Sequence, residues 1–135
     1  MKRREAREAL FVLLYEMSFN RPEELEETLE REGEKRDLND AYLLSSIRGI
    51  YEKRDILDDA IARNAHGWTL ERLSRVTLAI LRISVYEMTY TDIPYTISIN
   101  EAVELAKKYD HDQAPTFING ILNAVAETNG LKKNS

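Results

Sequence analysis

Arg4, Arg7, Phe11 and Tyr15 follow one another at steps of three, four and four, which lines them up along one side of a helix. Beside that stripe runs another, Ala6, Leu10, Leu13 and Met17, which reads as the buried face. Cations in the first turns of a helix oppose its dipole at a cost of about 0.3–1 kcal/mol each. A sequence shaped by folding alone would place Asp or Glu there. Guanidinium forks next to the unpaired N–H groups of a first turn suit phosphate oxygens. Arginines interleaved with aromatic rings suit single-stranded RNA, whose bases stack while its phosphates pair. The opposing reading packs Phe11 and Tyr15 under a neighbouring helix and makes the arginines solubilising. Packing is the better account of Phe11, because apolar stripes are usually core, and anion contact the better account of the arginines. On that account, replacing Arg4 and Arg7 by Ala leaves stability unchanged or slightly raised, because an unfavourable dipole contact is removed.

Other chemistry finds little footing in the 135 residues. There is no cysteine, which excludes disulfides, thiolate zinc sites and cysteine nucleophiles and fits a reducing, cytoplasmic setting. His66 and His111 lie far apart, so neighbouring histidines build no metal site. Gly33, Gly49, Gly67, Gly120 and Gly130 are scattered and cannot form a phosphate-cradling loop. Glu23, Glu24, Glu26, Glu27 and Glu30 form an acidic run without the apolar cover that would raise a carboxyl pKa for acid–base work. The expectation is a protein with no cofactor, no metal and no catalytic activity. The longest apolar run, Ala9 to Tyr15, is far too short to span a membrane, and the amino terminus lacks the marks of a signal peptide. Net charge is −5, yet residues 1–7 carry +3 through Lys2, Arg3, Arg4 and Arg7 against Glu5. A basic tip on an acidic body implies a local anion-binding patch.

The elements that position these residues read as helices almost throughout. A first runs from Arg3 to about Met17; Pro22 opens a second, to Glu32, with Leu25, Thr28 and Leu29 inward. Asn39 caps a third, to about Tyr51, and Asp55 opens a fourth that His66-Gly67 ends. Leu70 and Leu73 mark a short turn, and a long, largely buried helix carries Val76, Ile80 and Ile83 until Asp92-Ile93-Pro94 breaks it. Ser98 and Glu101 have capping-box spacing and start the next helix. The alternating stretch Ile93 to Ile99 has the pattern of a short strand, but a lone strand has nothing to pair with, so it reads as loop. Pro115 starts the last, with Phe117, Ile121, Leu122 and Val125 inside and Gly130 near its end. Trp68 and Tyr86 read as core. Asn100 and Asn119 stand in apolar helices, either as buried hydrogen-bonding groups or as surface contacts. Phe117 is open in the same way, on the apolar stripe yet in a first turn whose N–H groups can meet phosphate.

Several segments resemble the NusB family of transcription antitermination factors. They are RREARE with Leu13-Leu14-Tyr15, Trp68 to Leu73 (WTLERL), AILRISVYEM from Ala79 to Met88, IPYTISINEAVELAKKY from Ile93 to Tyr109, and FINGIL from Phe117 to Leu122. The resemblance implies an all-α fold of about seven helices in two small three-helix-type bundles. It implies a single domain over 1–135, with halves of about 1–66 and 67–130. It further implies binding to boxA-type single-stranded RNA of ribosomal RNA transcripts jointly with NusE, a small-subunit ribosomal protein, so that RNA polymerase reads through terminators. RNA-binding positions would be Lys2, Arg3, Arg4 and Arg7 together with Thr116, Phe117 and Asn119. NusE would meet Tyr15 and Thr77. The pattern departs at Glu5, which interrupts the basic run, at Val12 in place of a frequent Gln, and at Thr77, where an acidic residue is common. A monomer or weak homodimer is expected. The rivals are an RNA-reading module of an rRNA methyltransferase, which would need a truncated chain, and a protein-interaction scaffold without RNA binding.

Overall fold

Apolar residues spaced at helical period become helices wherever that period was read. The computed structural model describes residues 1–19 and 24–131. Among them are α1 (Arg3–Glu16), α2 (Leu25–Gly33), α3 (Ala41–Glu52), α4 (Arg54–Asn64), α5 (Arg75–Tyr90), α6 (Tyr95–Tyr109) and α7 (Ala114–Thr128), with single 3₁₀ turns at Met17–Phe19 and Leu70–Arg72 and no strand. The helix start expected at Pro22 lies outside the described residues; Leu25, Thr28 and Leu29 of α2 are buried as expected.

Two helix starts differ from the reading of the sequence. The cap of α3 is Asp40, whose Oδ1 accepts the Leu43 N–H at 2.9 Å, whereas the Asn39 N–H donates to Asp37. The second difference is larger. Residues 95–99 are the first turns of α6 rather than loop. Pro94 stops the preceding segment, and its carbonyl accepts the N–H groups of Ile97 and Ser98 at 3.0 and 3.1 Å. Ser98 is therefore no cap. It is buried one turn inside the helix, and Glu101 is left to reach across to α1. At the carboxyl end of α7 the sequence reading holds: Gly130 has φ +73°, and Leu131 N–H closes on Ala126 O at 2.9 Å, a helix stop that glycine makes without strain.

Helix α5 runs through the middle of the molecule and packs on α1, α3, α4, α6 and α7. The amino-terminal helices α1 and α3 cover one side of it, and α6 and α7, paired across a short connection, cover another. Leu10, Leu13, Leu43, Ile47 and Ile50 join Ile80, Leu81, Ile83 and Ile118 in one buried cluster. Each such side chain stabilises the fold by about 1.5–3 kcal/mol relative to exposure. The α3–α5 crossing depends on Gly49, where a Cβ would lie 2.2 Å from the Tyr86 hydroxyl oxygen.

Candidate nucleic-acid interface

The basic residues at the tip of α1 divide into exposed and buried ones. Lys2, at the N-cap position, offers no side-chain acceptor, so the first-turn N–H groups have no side-chain cap. Lys2 and Arg3 are exposed, and the Arg3 guanidinium rests over the Tyr42 ring at 4.4 Å. Arg4 is 70% exposed and donates from Nε to both Glu101 oxygens at 3.2 Å. Two guanidiniums are thus held at the helix tip by partners on α3 and α6 with most of the Arg4 side chain still in water.

Arg7 is a different residue in kind. Its side chain is 5% exposed and pairs with Glu87, 1% exposed, through Nε–Oε2 at 2.8 Å. The same carboxylate accepts from the Tyr42 hydroxyl and, on Oε1, from Ser98 Oγ at 2.8 Å; Ser84 Oγ lies 2.9 Å from Ser98 Oγ. Burial alone would lower the Arg7 pKa, but the hydrogen bond and charge of Glu87 outweigh it and the net shift is upward. Burial, followed by the charge and hydrogen bond of Glu87, pushes the Tyr42 hydroxyl far up. The guanidinium therefore stays charged and the phenol neutral. The sequence reading treated Arg7 as a removable cation whose loss would relieve a dipole penalty. The buried pair overturns that reading, because removing Arg7 strands the buried Glu87 side chain. Tyr42 and Glu87 are not read as site residues from the sequence, and Glu101 is read only as the capping-box partner of Ser98, though Glu87 is the sole acidic residue of α5.

Between α1 and α6 the remaining charges cancel locally. Lys108 Nζ donates to Glu8 Oε1 at 2.5 Å, the Tyr109 hydroxyl donates to the same oxygen, and Lys107 Nζ lies 3.3 Å from Glu104 Oε1. The bonds from Lys108 and Tyr109 hold the Glu8 carboxyl below its ordinary pKa. The groove these residues share, ≈ 370 Å³, is an alternation of signs and not an anion cradle. The net positive edge is the tip itself.

At the start of α7, Thr116 is exposed and Phe117 half-buried, its ring 5.9 Å from Trp68 in an edge-to-face contact. Trp68 was expected in the core and is instead 48% exposed: the positive φ of Gly67 turns the chain after α4, and the ring meets Phe117 at the rim. Asn119 is exposed, but it sits about 200° round the helix from Phe117, so these two do not face one ligand. Asn100 is likewise exposed. Glu101, which holds Arg4, and Asp110, the C-cap of α6, are about 14 Å apart along the helix axis.

The two residues expected to meet a protein partner lie toward that same end of α6. Tyr15 is 40% exposed, its ring stacked at 6.4 Å on buried Phe11, which in turn touches Tyr109 at 4.8 Å. Phe11 is therefore packing, as read. Thr77 is buried and donates to Asp110 Oδ2 at 2.6 Å; its hydroxyl is already used within the fold.

Among the described residues no three His, Cys, Asp or Glu side chains gather as a metal site, and no helix is long and apolar enough to cross a membrane. Fold and site together define a small all-helical protein with a basic, uncapped helix tip. A sequence model of the NusB family matches residues 4–127. The transcription antitermination protein NusB of Ruminiclostridium cellulolyticum is 42% identical over 130 residues, covering 94% of this chain and 90% of that protein. The protein of the same name from Nitratiruptor sp. is 42% identical over 135 residues, covering 97% of each. A crystal structure of T. maritima NusB superposes with a TM-score of 0.79 at 38% identity over 94% of this chain and 92% of that one. A chain in a crystal structure of a plectonemic RNA supercoil does so with a TM-score of 0.79 at 26% identity over 97% and 98%. The chain belongs to the NusB family and is not an enzyme.

Proposed function

We propose that this chain is a cytoplasmic transcription antitermination factor that holds boxA-type single-stranded RNA of ribosomal RNA transcripts against the tip of α1, jointly with NusE, within an RNA polymerase complex set to read through terminators. The observation that carries the reading is the pair of guanidiniums, Arg3 and Arg4, held by Tyr42 and Glu101 beside an uncapped helix start. Phosphate oxygens accept charge-assisted bonds from such donors. Arg7 supports the site from beneath through Glu87, which also anchors Tyr42. Thr116 and Phe117 add contacts at the start of α7, and Asn119 reaches only RNA that passes round that helix. NusE docks at exposed Tyr15, while buried Thr77 acts through Asp110, the C-cap residue of α6 that it holds. The halves 1–66 and 67–130 work as one unit, since α5 packs on helices of both. The chain acts as a monomer or weak homodimer.

With so few contacts, affinity for RNA alone is modest, and co-binding of NusE raises it by coupling. The test is fluorescence anisotropy of a labelled boxA RNA with and without NusE. Arg3→Ala with Arg4→Ala should weaken RNA binding at least tenfold, at about 1.5–3 kcal/mol per charged hydrogen bond lost, with NusE binding retained. Unchanged RNA affinity in that variant, with the fold intact, would leave a protein-interaction scaffold as the better reading.

A further inference from the structure

A groove lies between the Leu70–Arg72 turn and the start of α7, beside Phe117 and over Thr77. Its volume is ≈ 230 Å³, with Trp68, Arg72, Gln113 and Phe117 among its walls. That is smaller than the roughly 300–1,000 Å³ of pockets for drug-sized ligands and suits one planar ring system. Trp68 is held for contact. Its backbone N–H donates to Ala65 O at 2.9 Å, and Phe117 braces the ring edge-on at 70°. About half of the residue stays in water. Large amphipathic rings left partly exposed on rigid supports are typical of binding surfaces.

The polar groups narrow the occupant. Arg72 is exposed and no acidic side chain among the described residues pairs with it. Gln113 supplies both a donor and an acceptor. The buried Asp110 carboxylate is turned to the Thr77 hydroxyl. Exposed Glu71 and Asp112 disfavour a run of phosphates and leave room for a base with a single phosphate on Arg72. Aromatic platform, amide edge and one guanidinium are what an unstacked nucleobase requires.

We propose that this groove takes one unstacked base of a single-stranded RNA, stacked on Trp68, with Arg72 on the adjoining phosphate. The proposal rests on the RNA-binding reading above and extends its footprint past Phe117 to a side chain that reading does not use.

Trp68 is the only tryptophan of the chain, so its emission reports on the groove directly. The full chain is titrated with a dye-labelled boxA RNA oligonucleotide while anisotropy and tryptophan emission are followed together. Emission should quench with the same midpoint as the anisotropy. Trp68→Leu should weaken RNA binding roughly 5- to 150-fold, the range that loss of one base–aromatic stack produces, with little change in melting temperature. Trp68→Phe should restore most of the loss, and Arg72→Gln should weaken binding without unfolding. If RNA binds by anisotropy while emission is unmoved and Trp68→Leu binds like the wild type, the groove proposal falls and the α1 reading stands. If the wild type binds no RNA, both fall. Quenching by NusE in the absence of RNA, or by raising the concentration of the chain alone, would assign the groove to a protein or a second copy and overturn the proposal.

Discussion

Arg7→Ala separates a buried structural cation from a solvated one. The guanidinium is 5% exposed, its Glu87 partner 1%, and deleting one member of such a pair leaves an uncompensated buried charge at about 3–5 kcal/mol. Glu87 keeps two donors, the hydroxyls of Tyr42 and Ser98, which puts the expected loss near the lower end, about 3 kcal/mol. For a chain of this length that lowers Tm by about 10 °C. Arg4→Ala removes a pair whose cation is 70% exposed, worth about 0–1 kcal/mol, and should move Tm by no more than a few degrees. Arg7→Lys keeps the charge without the fork and should fall between. Arg7→Met combined with Glu87→Gln should recover much of the loss, because no charge is then stranded: the Tyr42 and Ser98 hydroxyls bond to different oxygens of Glu87, so the amide oxygen accepts from one of them while the amide NH2 donates to the oxygen of the other. The assay is urea and thermal unfolding followed by circular dichroism for all four variants. An Arg7→Ala variant that melts within about 2 °C of the wild type would show that the pair contributes nothing net, and the argument for Arg7 as the support of the tip would fail with it.

Three further outcomes follow from the same geometry. Glu8, held below its ordinary 4.5 by Lys108 and Tyr109, contributes stability that is present above that value and lost as pH falls through the lowered one; Glu8→Gln should therefore flatten the acid limb of a Tm-versus-pH curve, and an unaltered limb would contradict the bridge. Gly49→Ala should destabilise by about 1–3 kcal/mol through overpacking against Tyr86, with the penalty relieved in combination with Tyr86→Leu, as denaturant midpoints would show. Tyr42→Leu should lose RNA affinity because the platform under Arg3 goes, whereas Tyr42→Phe, which keeps the ring, should bind RNA normally per folded molecule and lose about 1–2 kcal/mol of stability for the missing bond to Glu87; anisotropy beside melting curves would expose any other pattern.

The helices were legible because burial at steps of three and four is a local property of the sequence, as in Ala6, Leu10 and Leu13. Their ends were less so. Asn39 and Asp40 are chemically equivalent candidates, and only the turn at Asp37 shows which one caps α3. The stretch 93–99 alternates in hydropathy while its backbone is helical from Tyr95, and the deciding partners of Ser98 are on α5. The site behaves likewise. A basic helix start is visible in the composition of residues 1–7, but sorting Arg4 from Arg7 needs Glu87, 80 residues away. Trp68 was misplaced because ring size argues for burial, while its position on the rim is set by the turn at Gly67 and by Phe117.

The salt dependence of boxA RNA binding tests the central claim most directly. Each phosphate neutralised on a single strand contributes about −0.7 to the slope of log K against log salt concentration. If Arg3 and Arg4 meet phosphates, the Arg3→Ala, Arg4→Ala variant should bind more weakly with a slope shallower by about 1.4, while its melting temperature stays close to that of the wild type. Parallel salt lines for the two proteins would contradict the account and place the RNA elsewhere on the molecule.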